Sequence, residues 1–253
     1  MKKITARSLK KLNIIAGCLH LAQAVAVLVL SKSLPVPVSG NYLEFDKATQ
    51  SLQPTTTTLF NVDLPWLIAA FFFLSAFFHF TIASVYNKRY TADLKLGINK
   101  LRWVEYAISA STMMVAIGML VGIYDFSSLL MMFSLTAAMN LLGLVMEVHN
   151  QTTKKTNWLS FNLGTFAGLI PWVVVAFYMW LGAANGSAAP TFVYWIFVSI
   201  FVFFSCFALN MVLQYKQVGK WRDYLYGERA YIILSLVAKS LLAWQVFGGT
   251  LRP

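Results

Sequence analysis

Seven runs of apolar residues, each about as long as a lipid bilayer is thick, constrain this chain more than any other feature. Crossing roughly 30 Å of hydrocarbon at 1.5 Å per residue takes about 20 mostly apolar residues. Runs that qualify lie near 13–31, 64–86, 103–124, 126–146, 158–182, 191–215 and 230–250. Lipid offers no partner for backbone N–H and C=O groups, so each run is expected to close its own hydrogen bonds as a helix. The fold class is therefore an all-α membrane protein, a seven-transmembrane-helix bundle. Composition agrees: 58% of the residues are hydrophobic and only 11% charged, against about 25% charged in soluble domains.

Seven spans place the two termini on opposite sides, and the basic residues choose which is which. Lys2, Lys3, Arg7, Lys10 and Lys11 precede the first span, and Lys88, Arg89, Lys95, Lys100 and Arg102 follow the second. Lys154 and Lys155 follow the fourth, and Lys216, Lys220, Arg222 and Arg229 surround the start of the seventh. That makes sixteen on one side, against Lys32, Lys47 and Arg252 on the other. The positive-inside rule then puts the N-terminus in the cytoplasm and the C-terminus outside. The net charge of +11 is thus topology information, scattered over short loops and not gathered into a nucleic-acid surface. Trp103, Tyr124, Trp158, Tyr194 and Tyr215 mark span ends, as an interfacial belt would. The first span follows a basic segment, as a signal peptide does, but no small-residue cleavage site follows it, so it reads as a retained helix. The chain reads as one domain, 1–253, with a single long extracellular loop at 32–63. Within that loop Leu34–Phe45 carries prolines, Gly40-Asn41 and aromatic residues in the pattern of a short β-hairpin, whereas Thr55–Thr58 reads as a surface segment. Cys18 and Cys206 fall inside apolar runs and are not placed for a disulfide.

Of the twenty basic residues, only Lys239 sits well inside a span. It lies ten residues beyond Arg229, about 15 Å into the last helix. A charge near the midplane costs several kcal/mol and marks a functional site by default. Two readings compete: a structural ion pair between helices, or a desolvated amine that forms a Schiff base with an aldehyde. Either needs a counterion. Glu44, Asp46, Asp63, Asp93, Asp125, Glu147, Asp223 and Glu228 read as loop or helix-end residues, which leaves Glu105 of the third span. Helical side chains lean toward the helix N-terminus, so Lys239 leans toward the level of Glu105. Ser235 stands four before Lys239, Ser109 four after Glu105, Ser75 and His79 four apart on the second span, and His20 and Gln23 three apart on the first. Each alone is weak, since such residues commonly bond a carbonyl or pack. Together they suggest a small hydrated cluster reaching from Lys239 toward the cytoplasmic half. Trp172 after Pro171 and the Phe201–Phe204 run would serve as packing, or would sandwich a flat polyene.

These residues carry a resemblance. Gly227-Glu228-Arg229-Ala230-Tyr231 followed by Ser235-Leu236-Val237-Ala238-Lys239-Ser240 resembles the retinal-binding helix of the heliorhodopsin family. Arg102-Trp103-Val104-Glu105-Tyr106, His79-Phe80 and Ala16-Gly17-Cys18-Leu19-His20 resemble other segments of the same family, and the inverted orientation is also similar. The resemblance implies a rhodopsin-like bundle with all-trans retinal on Lys239 and Glu105 as counterion. Ser235, Ser75, Ser109, Tyr106, Met113, Gly143, Pro171, Trp172 and Phe204 would lie around the chromophore, with His20, Gln23 and His79 as a polar, proton-accepting cluster. It further implies light-driven isomerisation, a slow photocycle, a homodimer and an outer hairpin that caps the protein. Members are regarded as photosensors or light-regulated partners of enzymes without clear pumping, although transport is reported for some.

The residues favour sensing over pumping. Ser235 stands where pumps resemble a pattern with an acid four before the lysine, and no second buried acid is expected to relay a proton. The expected function is a photoreceptor whose change is read at the basic cytoplasmic loops by a signalling partner, with membrane lipid as its solvent. A light-driven proton transporter is the alternative, and a retinal-free bundle with a structural Lys239–Glu105 pair is a second. No metal motif, nucleotide loop or nucleophilic triad points to an enzyme.

Overall fold

A computed structural model describes residues 4–253; Lys2 and Lys3 of the basic count lie outside the described residues. Seven long helices, α1 (Ala6–Leu30), α2 (Leu64–Ala83), α4 (Lys100–Leu120), α5 (Phe126–His149), α6 (Leu159–Ala184), α7 (Thr191–Tyr215) and α8 (Tyr224–Val246), match the seven apolar runs. All seven are long and apolar enough to cross a membrane, α8 together with its π-helical continuation Phe247–Leu251. Several helices overrun the apolar stretches that announce them. The first helix starts at Ala6, where Thr5 and Ser8 cap each other's backbone, and not near 13. Asp223 caps α8 six residues before the expected start near 230. Hydropathy marks only the lipid-buried part of a helix, while capping decides where it begins. An additional short helix, α3 (Asn87–Lys95), fills the connection between α2 and α4 with Tyr90, Asp93 and Leu94 turned inward.

A 3-10 turn at Gly219–Arg222 precedes α8, and the two strands form one antiparallel hairpin, β1 (Pro35–Asp46) and β2 (Ser51–Asp63). The hairpin expected around Leu34–Phe45, with its Gly40-Asn41 pair, forms but extends well beyond that stretch. Those two residues lie mid-strand opposite Thr57 and Thr56, and the chain reverses after Asp46. Thr55–Thr58, expected as a surface segment, is largely exposed and forms part of β2, because β-branched side chains suit a pleated strand. Val36 and Val38 are buried, Leu34 N donates to Asp63 Oδ1 at 2.6 Å, and Ser39 N donates to Tyr124 O at 2.9 Å. Asn41 Nδ2 donates to Asp125 Oδ1 at 3.1 Å, so the cap of α5 also holds the hairpin.

One end of the bundle therefore carries the hairpin, and the other carries most of the basic residues. The main apolar core, with Phe71, Phe72, Ile117, Leu242 and Val246 inside, fills the hairpin half. Phe166, Trp180 and Trp195 stay exposed on α6 and α7, as expected of side chains that meet acyl chains. Cys18 and Cys206 are both free thiols.

Candidate functional site

The expected pair forms. Lys239 of α8 and Glu105 of α4 are 3% and 4% exposed, and Lys239 Nζ donates to Glu105 Oε1 at 2.8 Å. The same amine donates to Ser235 Oγ at 2.7 Å, one turn earlier on α8. Ser75 of α2 and Ser109 of α4 donate to the same Oε1 at 2.6 and 2.8 Å. Three helices thus converge on one carboxylate oxygen. A buried charge this well paired and hydrogen-bonded is tolerated in a low-dielectric interior, whereas either partner alone would not be.

One turn from Ser75 toward the basic end, His79 stacks on His20 with ring centres 5.4 Å apart. The sequence missed their anchor, Asn13. Its Nδ2 donates to Leu9 O at 2.9 Å, so its Oδ1 faces His79 Nδ1 at 2.7 Å as an acceptor. His79 Nδ1 must then carry the proton, and Nε2, which has no partner among the described residues, presents a lone pair. Both ring nitrogens of His20 are also unpartnered although the residue is fully buried. Gln23 does not join this cluster. It donates to Leu19 O at 3.3 Å and accepts from Trp244 Nε1 at 3.1 Å on the flank of α8. Its position three after His20 turns it aside, while Asn13, seven before, lies on the same face.

On the other side of Lys239 the bundle encloses an apolar cavity of about 140 Å³. Tyr106, Met113, Gly143, Trp172, Phe204 and Ser235 line it with Lys239, as expected, whereas Pro171 does not reach it. Ser75 and Ser109 serve Glu105 and do not line the cavity. The Trp172 ring meets Phe197, Phe201 and Phe204 edge-on at 5.3 to 5.7 Å, and of those three phenylalanines Phe204 lines the cavity with it. Trp103 and Phe207 are among the further lining residues that were not anticipated. Trp103, expected in the interfacial belt, is buried and donates to Glu147 Oε2 at 2.7 Å. A slot walled by apolar and aromatic side chains, with one buried amine facing it, fits a flat, unsaturated aldehyde such as retinal.

Two further expectations need correction. Arg102, counted as a loop cation, is 4% exposed and paired with Glu147 and Glu228. Those two acids, expected at exposed helix ends, are 2% and 1% exposed, so Glu105 is not the sole buried carboxylate. Each lay outside or at the edge of its apolar run, but α8 begins early enough to take Glu228 into the bundle.

A family model described as Heliorhodopsin matches residues 9–251, nearly the whole chain. No curated protein matches it.

Proposed function

The chain belongs to the heliorhodopsin family, whose members are rhodopsin-type light-sensing retinal proteins, and from that premise we propose that it signals with light and does not pump ions. The observation that carries this reading is the buried Lys239 amine, paired with Glu105 and facing an apolar, aromatic-walled cavity. Retinal, all-trans in this proposal, supplies a conjugated aldehyde that condenses with an amine and changes shape on absorbing visible light. Lys239 holds it and Glu105 balances the positive charge at Nζ, with Ser75 and Ser109 fixing the carboxylate. Trp172 and Phe204 confine the polyene and exclude water from it. His79 Nε2 and the His20 ring offer acceptor sites for a proton that leaves Nζ and later returns.

Pumping needs a relay on both sides of the lysine. Toward the hairpin end the core is apolar, and of the buried acids toward the basic end Glu147 and Glu228 are held by Arg102 while Asp93 lies 3.8 Å from Arg89. The basic end is the cytoplasmic side in this proposal, in a cell membrane, with the chain as a homodimer and the basic loops as the surface for a signalling partner. A membrane-impermeant amine reagent applied to intact cells should then label Lys47 and spare Lys154; the reverse pattern would overturn the orientation.

The central test is the visible spectrum of the full chain supplied with all-trans retinal, beside Lys239→Ala. A visible band lost in the variant is expected. No band in either protein would leave Lys239 as a structural cation and end the retinal reading. A light-driven pH change abolished by a protonophore would instead establish transport.

A further inference from the structure

The basic end of the bundle holds an ionic cluster for which light absorption itself has no use. Arg102 of α4 reaches Glu147 of α5 and Glu228 of α8 through different guanidinium nitrogens. Glu228 Oε1 also accepts from Tyr90 Oη at 3.2 Å and Asn99 Nδ2 at 2.6 Å. Glu147 accepts from Asn99 N at 3.0 Å, Trp103 Nε1 at 2.7 Å and Tyr224 Oη at 3.1 Å. Burial, and then the Glu228 carboxylate, push the Tyr90 hydroxyl well above its ordinary value, so it remains a donor. The cluster thus fastens α3, α4, α5 and α8 at one point.

Two aromatic side chains separate it from Lys239. The guanidinium lies 4.1 Å from the ring centre of Tyr231, and Lys239 Nζ lies 5.3 Å from that of Tyr106. Tyr106 Oη donates to Tyr231 O at 3.0 Å, with the rings 6.4 Å apart. Each buried cation therefore presses on an aromatic face, and the two rings are joined to each other. The sequence repeats the arrangement along single helix stripes. Glu228, Tyr231, Ser235 and Lys239 follow at spacings of three, four and four on α8, and Arg102 and Tyr106 are four apart on α4. The cluster also has donors to spare, since Arg102 Nε and Tyr231 Oη are buried without partners among the described residues. A movement of Tyr231 or Arg102 could therefore bring a new donor to either carboxylate.

We infer that Tyr106 and Tyr231 are positioning residues that couple Lys239 to the Arg102–Glu147–Glu228 cluster, so that a change at Lys239 rearranges the α3–α4 junction at the basic end. This rests on the retinal reading above and supplies its route to a surface. A displacement of Nζ alters the contact with Tyr106 first, then the backbone of Tyr231, then the ring on which Arg102 lies.

The test is the light-minus-dark infrared spectrum of the full chain carrying retinal. Carboxylate bands that shift in Glu228→Gln assign the cluster; should that variant fail to fold, Tyr90→Phe, which removes one donor, shifts the same band. In Tyr231→Leu these bands are expected to fall at least about fivefold, the low end of coupling between linked sites. The visible band should be kept, and Tyr231→Phe, which keeps the ring, should restore the amplitude. Tyr106→Phe, which loses the bond to Tyr231 O, should reduce it as well. Cluster bands missing from a wild-type protein whose visible band responds to light would overturn the coupling alone, as would bands undiminished in Tyr231→Leu. Absence of any visible band would instead remove the retinal reading beneath it.

Discussion

At the scale of single residues, the site depends as much on what is missing as on what is present. A Cβ added to Gly143 would meet the Trp103 ring at 2.5 to 2.8 Å. That ring is held by its bond to Glu147 and lines the cavity, so it cannot retreat without strain. Gly143→Ala is expected to cost roughly 1–3 kcal/mol as overpacking and to press Trp103 into the slot. The visible band per milligram of retinal-supplied protein should fall, and an unchanged band with an unchanged melting temperature would show that the ring moves freely. Lys239 and Glu105 were legible in the sequence because a charge in an apolar run has few explanations and few partners. Asn13 was not: it lies where α1 overlaps its basic approach, and there a polar residue attracts no notice. Arg102, Glu147 and Glu228 escaped for the same reason, each standing where charges are expected to meet water.

Among elements, the hairpin shows how local a turn signal is. Gly40-Asn41 resembles a reversal, yet Asn41 bonds Thr56 Oγ1 at 2.7 Å across the pair and Asp125 at 3.1 Å below it. Long-range partners decided its role, and nothing within a few residues reveals them. Asp125 is the hinge of this arrangement, because Oδ1 holds the hairpin while Oδ2 accepts from Ser128 N at 2.8 Å. Asp125→Ala removes both functions. A loss of about 0.5–2 kcal/mol is expected for the cap, or roughly 2–4 °C per kcal/mol for a protein of this size. Protease cleavage within β1 or β2 should quicken in the same variant, and cleavage at the wild-type rate would mean that Val36, Val38 and the Ser39–Tyr124 bond suffice to hold the hairpin.

For the whole molecule, seven spans and the basic asymmetry were legible because lipid leaves a chain so few choices. The division of the interior was not legible. The largest apolar core fills the hairpin half, while in the basic half two smaller apolar clusters flank the buried ionic and polar contacts. Arg102→Leu would leave Glu147 and Glu228 buried without their cation, with an expected loss of about 3–5 kcal/mol. Melting in detergent should report it, and added salt should change the wild-type value little, since buried pairs are weakly screened. Adding Glu147→Gln and Glu228→Gln should recover much of the loss. A melting temperature unmoved by Arg102→Leu would mean that water reaches the cluster.

The crowding of three donors onto Glu105 Oε1 makes the carboxylate redundant in its own support. If Nζ turns away, two serine hydroxyls still hold the charge, so Glu105 is not driven to take a proton merely to avoid standing bare. In the proposed light reaction the carboxylate would be a fixed pole against which the lysine swings, and the site could return to its starting geometry because half of it never left.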